Sequence, residues 1–235
     1  ETMQNTCGAF GGSLWNANTP TCFKDIAFAD DYTREDLADY ANNPNLTGNI
    51  ILEGGYGSGK STIAQIIANE RLTDSLSVFE INGEVWSDDT LTTIANTYAW
   101  AIANNSIAVI IINEVDRLKD KQFKLRDFLD KHTQRLLVIM TTNHLANIDG
   151  SIVDRSDVYY VRGFTPQKAV GIAQNVLQRH GYTFADDDLE KLFTRRLVGD
   201  EQELSLRQIG RIVDKLAMQN APNPPKRGNS LRLVK

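Results

Sequence analysis

The feature that most constrains this chain is the run N-I-I-L-E-G-G-Y-G-S-G-K-S-T over residues 49–62. An apolar, β-branched segment meets four glycines within six residues and then resumes as S-T-I-A-Q-I-I-A-N-E-R-L, with apolar residues at helical spacing. A strand, a tight loop and a helix must therefore follow one another directly. Gly54, Gly59, Lys60 and Ser61 satisfy the spacing G-x-x-x-x-G-K-[ST], with Gly55, Tyr56, Gly57 and Ser58 inside the loop and Thr62 just after it. In such a loop glycines let backbone N–H groups turn inward around phosphate oxygens. Lys60 reaches the β and γ phosphates, and Ser61 ligates Mg²⁺. The helix that follows adds an N-terminus that favours an anion. A bound nucleotide is the expectation.

Four further runs share the apolar, β-branched character of residues 49–53: L-S-V-F-E-I-N (76–82), S-I-A-V-I-I-I-N (106–113), R-L-L-V-I-M-T-T-N (135–143) and D-V-Y-Y-V-R-G-F (157–164). Near-continuous runs of this kind, mostly separated by helical patterns, are how strands buried on both faces of a parallel sheet read. The predicted fold is α/β: a five-stranded parallel sheet flanked by helices, spanning residues 21–164. From residue 165 to 220 the pattern is helical only. Thr165–Pro166 reads as an N-cap and first turn, Gly181 as a stop, and Ser205 with Gln208 as a capping box, so a small helical domain is predicted there. Residues 1–20, rich in Gly, Asn and Thr, read as a flexible arm. Residues 221–235 read as a basic flexible tail carrying Lys226, Arg227, Arg232 and Lys235.

The net charge of −5 excludes nucleic-acid binding by bulk attraction and requires a local basic surface for it. No apolar run approaches the roughly 20 residues that span a bilayer, and the first residues lack a secretory pattern, so no membrane role and a cytoplasmic location are expected. The cysteines, Cys7 and Cys22, have no metal-ligand spacing and read as free thiols.

A phosphate loop is shared by kinases, switch GTPases and motor ATPases, and the third apolar run narrows the choice. It ends in Asn113, Glu114 and Asp116. A carboxylate at a strand end beside the loop can orient, or take a proton from, a water attacking the γ phosphate, and Glu114 is the candidate. At the end of the fourth run, the Asn143 amide can hold that water or a γ-phosphate oxygen.

In this order the motifs resemble those of the AAA+ ATPases, over roughly residues 22–220. G-G-Y-G-S-G-K-S is similar to their Walker A, I-I-I-N-E-V-D to Walker B, T-T-N to sensor 1, and the helical segment to their lid. The resemblance implies ATP with Mg²⁺, bound between subunits of a homo- or hetero-oligomeric ring or spiral. It implies that Arg155 reaches a neighbour's nucleotide, that Arg207 in L-S-L-R-Q-I-G contacts phosphate from its own chain, and that Asn82 stands where a polar switch residue restrains the catalytic glutamate. The family usually has Asp where this chain has Asn113. The amide still accepts a hydrogen bond next to the metal position but carries no charge, so Mg²⁺ affinity and turnover are expected to be reduced.

Residues 113–156 look most similar to the clamp-loader, replication factor C-like group, with Asp154-Arg155-Ser156 in place of the usual Ser-Arg-Cys. The 235 residues are not expected to include that group's collar domain. The group implies DNA and protein partners. Projected on one helix at about 100° per residue, Arg117, Lys121, Lys124, Lys131 and Arg135 fall within roughly 80°, a basic stripe able to follow a phosphate backbone. Two other substrate classes stay open. One is a protein-remodelling machine using Val85–Trp86 as a pore loop; the other is a slowly hydrolysing, ATP-gated assembly factor such as a transposition regulator.

Overall fold

Each of the five apolar runs becomes a strand in the computed structural model, which describes residues 13–71 and 75–220. They are β1 Gly48–Glu53, β2 Val78–Asn82, β3 Ala108–Asn113, β4 Leu136–Thr142 and β5 Asp157–Tyr160. All pair in parallel in the order β2-β3-β4-β1-β5. The last strand stops earlier than its apolar run, at Tyr160, although Val161 N–H still reaches Glu53 O at 2.7 Å.

The chain divides into two compact units, one of which is Pro20–Arg162 and contains the sheet. Its helices are α2 Asp31–Asn42, α3 Lys60–Glu70, α4 Asp88–Ala103, α5 Gln122–Lys131 and the short α6 Gly150–Asp154. Successive strand residues alternate between two cores. Ile50, Leu52, Val109, Ile111, Leu137 and Ile139 pack with α2 and α3, whereas Ile51, Ile110, Ile112, Val138 and Met140 pack with α4, α5 and α6. Burial on both faces explains why these runs show no polar alternation. Each buried aliphatic side chain contributes about 1.5–3 kcal/mol relative to exposure. The apolar stretches end where the strands do, so the polar residues after β1, β3 and β4 emerge together at the C-terminal ends of the parallel strands.

The helix expected to run unbroken from Arg117 to Arg135 is interrupted. Val115–Lys121 forms 3-10 turns, with Lys119 at φ 50° and ψ −122°, before α5 begins. At the other end, α5 stops at Lys131 and Arg135 has φ 53°. A single helical projection across these residues therefore does not describe them.

The second unit comprises Glu1–Thr19 and Gly163–Lys235. Its described helices are α1 Leu14–Ala17, α7 Pro166–Arg179, α8 Asp186–Thr194 and α9 Leu206–Gln219. The Thr165 cap, Pro166 first turn and Ser205/Gln208 capping box are present, and Gly181 adopts φ 80° after α7. One correction concerns the arm expected over residues 1–20. Residues 13–19 of it are folded against α9: Asp214 accepts hydrogen bonds from Ser13 Oγ at 2.7 Å and from Trp15 N–H at 2.9 Å. The indole of Trp15 lies so close to Gly210 that a Cβ there would meet it at 2.6 Å. Residues 1–12 and Cys7, like the basic tail at 221–235, lie outside the described residues. Cys22 is a free thiol, and its hydrogen bond to the Asp25 carboxylate raises its pKa.

Candidate functional site

The phosphate loop joins β1 to α3, and its glycines have distinct reasons to be glycine. Gly57 and Gly59 adopt φ 75° and 96°, where a side chain is strained. Gly54 is a matter of space: a Cβ would sit 2.3 Å from Val161 O. Gly55 has open space around its Cβ position. Gly59 caps α3, and the first helical bond runs from Ile63 N–H to Gly59 O. The N–H groups of Lys60, Ser61 and Thr62 precede the intrahelical ladder, in the position from which helix N-termini hold anions. Ser58 is buried; Tyr56 is exposed and packs edge-on to His144 at 6.3 Å.

Lys60 is buried at 8% exposure, and its ammonium gathers the site. It donates to Gly54 O and Gly55 O at 2.8 Å, to Asn143 Oδ1 at 2.9 Å and to Ser58 Oγ at 3.3 Å. The loop and the end of β4, 83 residues apart, are thus joined through one cation. A buried ammonium at the loop is suited to receive phosphate, with which it forms charge-assisted hydrogen bonds.

The end of β3 is the third component. Ser61 Oγ donates to Asn113 Oδ1 at 2.8 Å, and Thr141 Oγ1 donates to the same oxygen at 3.1 Å. Asn113 Nδ2 donates to Glu80 Oε1 at 2.7 Å. Glu114 follows in the left-handed region at φ 53° and ψ 51°, with its N–H on Thr141 Oγ1 and its carboxylate 3.9 Å from Arg117. Its backbone lies against Gly83, where a Cβ would meet Glu114 O at 2.4 Å. Such a conformation costs about 1–3 kcal/mol in a non-glycine residue and is maintained here by packing. Behind these residues, Thr142 Oγ1 donates to Asp116 Oδ1 and accepts from His144 N–H. Asn82, opposite Asn113 in the sheet register, accepts from Glu84 N–H.

The fold therefore brings together Gly54–Thr62, Asn113, Glu114 and Asn143. It sets Arg155 apart from them. Arg155 lies at the opposite, N-terminal end of the strands, beside the start of β1, where Asn49 Nδ2 donates to its carbonyl. The strand between spans about 17 Å. Its guanidinium is held by Asp130 at 2.5 Å and by Ser151 O at 2.7 Å. Arg207 is an exposed second residue of α9, in the other unit. Glu80 and Thr141 are participants that sequence reasoning missed. Glu80 stands two residues before Asn82 and so shares its face of β2, but in sequence it resembles any polar residue of an edge strand.

The residues present fit a nucleotide's phosphates with a hard cation. A nest of glycines, a buried ammonium, a helix N-terminus and an adjacent hydroxyl converge at one point. Among the described residues no group of three or more His, Cys, Asp or Glu is placed to hold a metal; Ser61 Oγ is the hydroxyl that would face a nucleotide-bound cation.

Two expected substrate surfaces are corrected. The basic residues do not form a stripe. Arg117 faces Glu114, Lys121 donates to Trp86 O at 2.8 Å, Lys124 pairs with Asp88 at 2.5 Å, and Arg135 donates to Asn105 Oδ1 at 2.5 Å. The break at Lys119 and the end of α5 also take Arg117 and Arg135 off the helix that carries Lys124 and Lys131. Trp86 is buried at 4% exposure in the core with Ile94 and Leu118, so it presents no pore-loop ring. Val85 beside it is exposed.

A parallel sheet with a phosphate loop after β1 and polar residues gathered at the ends of β3 and β4 defines a P-loop nucleotide-binding domain. Residues 50–163 match the model of the AAA family, described as the ATPase family associated with various cellular activities. The chain is 24% identical over 152 residues to replication factor C subunit 5 of Arabidopsis thaliana, covering 60% of this chain and 40% of that protein. It is likewise 24% identical over 161 residues to the replication factor C large subunit of Pyrococcus abyssi, covering 67% of this chain and 32% of that protein. It thus spans well under half the length of these relatives. Among the described residues no helix is long and apolar enough to cross a membrane.

Proposed function

We propose that this protein hydrolyses ATP with Mg²⁺ at interfaces between subunits and uses the cycle to remodel DNA or a DNA-bound protein, in the manner of a clamp loader. The observation that carries the reading is the joining of loop and sensor by Lys60, with Glu114 beside them and Arg155 about a strand's length away. Lys60 and the glycine loop hold the phosphates, and Ser61 faces the cation. Glu114 orients the attacking water, and Asn143 holds that water or a γ-phosphate oxygen. Arg155, remote from its own loop, serves a neighbouring subunit's nucleotide and neutralises charge that develops in the transition state. Similarity to replication factor C subunits supports the oligomer and the DNA-linked role.

The test is ATP turnover with and without duplex and single-stranded DNA, across a range of salt. Stimulation by DNA that weakens with salt is expected. Turnover indifferent to both, together with no salt-dependent DNA binding, overturns the DNA assignment. Asn113 favours a second reading in one respect: without a carboxylate at that position, a slow, ATP-gated assembly switch is served by the same residues. A single-turnover rate far below the steady state of AAA ATPases, with ATP-dependent assembly retained, would select it.

A further inference from the structure

The residue facing the cation side of the site is an amide, yet a carboxylate stands directly behind it. We propose that Glu80 is a positioning residue that supplies, through the side chain of Asn113, the negative charge that Asn113 lacks toward the nucleotide-bound divalent cation. This deepens, and rests on, the reading of Lys60 and Ser61 as a nucleotide and Mg²⁺ site.

The hydrogen-bond chemistry leaves little freedom in how this works. An ionised carboxylate only accepts, so the Asn113 group facing Glu80 at 2.7 Å must be the NH₂, and Oδ1 must point toward Ser61 and Thr141. Glu80 therefore fixes the amide orientation. It is itself held from α3, since Gln65 Nε2 donates to Oε1 at 3.1 Å and to Oε2 at 3.2 Å. With Oδ1 taking the Ser61 proton, the lone pairs of Ser61 Oγ are directed away from Asn113 and are available to a cation. A carboxylate accepting from the amide NH₂ also draws electron density toward Oδ1, strengthening it as an acceptor. Groups one step behind a metal's own ligands commonly alter metal affinity by about 10–100-fold.

The experiment titrates Mg²⁺ into the protein with a fluorescent, non-hydrolysable ATP analogue, and repeats the nucleotide titration in EDTA. Glu80 is exposed on an edge strand, so Glu80→Gln keeps the fold, an acceptor oxygen and the size of the side chain while removing the charge. The expected result is that half-saturation by Mg²⁺ rises about tenfold in Glu80→Gln, with affinity in EDTA unchanged. The second arm uses Asn113→Asp, which places two carboxylates within contact distance and raises Mg²⁺ affinity little. Asn113→Asp combined with Glu80→Gln restores or exceeds the original affinity, a strongly non-additive cycle. Unchanged Mg²⁺ dependence in Glu80→Gln overturns the proposal. So does Asn113→Asp performing as well alone as in the double variant, or an equal loss of affinity in EDTA. If the unsubstituted protein binds no nucleotide with or without Mg²⁺, the underlying site reading fails first and the proposal with it.

Discussion

Gly54→Ala tests whether the loop is held by packing against the sheet edge. The added Cβ would stand 2.3 Å from Val161 O, against the 3.4 Å at which ordinary contact begins. About 1 Å of movement is needed, and the obstacle is backbone rather than the end of a flexible side chain. Neither side yields easily. Gly54 N–H is tied to Thr142 O at 3.3 Å, and Val161 N–H is tied to Glu53 O at 2.7 Å. Overpacking of this sort costs about 1–3 kcal/mol, which for a chain of this size lowers Tm by about 3–10 °C. The functional cost is larger, because a displacement near 1 Å in a group that positions substrate is worth about 100-fold. Gly55→Ala is the internal control. Its Cβ meets nothing within 4 Å and its backbone is outside the left-handed region, so stability should change by no more than about 0.5 kcal/mol. Thermal melting and a fluorescent-nucleotide titration on both variants check the pair. Equal behaviour of Gly54→Ala and Gly55→Ala would refute the reasoning, since the contacts with Val161 and Ser58 Oγ are what distinguish them.

Arg155→Ala should leave nucleotide affinity intact and reduce turnover about 1,000-fold; mixing it with Lys60→Ala subunits should restore part of the activity, whereas lost nucleotide binding would place Arg155 in its own chain's site. Trp86→Ala should lose about 3–5 kcal/mol of stability in a denaturant melt, as expected for a core aromatic; a stable variant defective only in substrate processing would contradict its buried position. Two tyrosines set an alkaline limit. Burial, with a hydrogen bond to Asp157, pushes the Tyr40 phenol well above its usual value, and burial raises Tyr159 to about 12. Both favour the neutral phenol in the folded state, so the stability they contribute is complete below pH 10 and declines as the pH rises toward 12 and beyond. Absorbance titration of tyrosinate should show late ionising groups, and Tyr40→Phe should remove one of them.

Much of the sheet was legible because strands buried on both faces carry their signal in composition alone. Ile50, Ile51 and Leu52 read as a strand without reference to any partner. The loop was legible for a similar reason: a spacing of Gly, Lys and Ser dictates a local conformation and a local chemistry. The basic residues misled because the projection assumed an unbroken helix. Lys119 leaves helical geometry, and partners on α4 and the neighbouring loops engage Lys121, Lys124 and Arg135. Residues 13–19 misled in the opposite sense, since their composition reads as loose while Asp214, some 200 positions later, caps and anchors them.

By itself, the sequence determined the local chemistry: a strand, a glycine loop with its lysine, and polar residues where apolar strands end. Tertiary structure alone decided which of those ends meet. Lys60 reaches Asn143 because β4 pairs with β1, and Asn113 meets Glu80 because β2 lies beside β3 in a register that sets their faces together. Strand order and register are long-range properties, fixed by how two cores close around the sheet rather than by any window of residues. The carboxylate of Glu80 beside Asn113 is visible only there, one strand away.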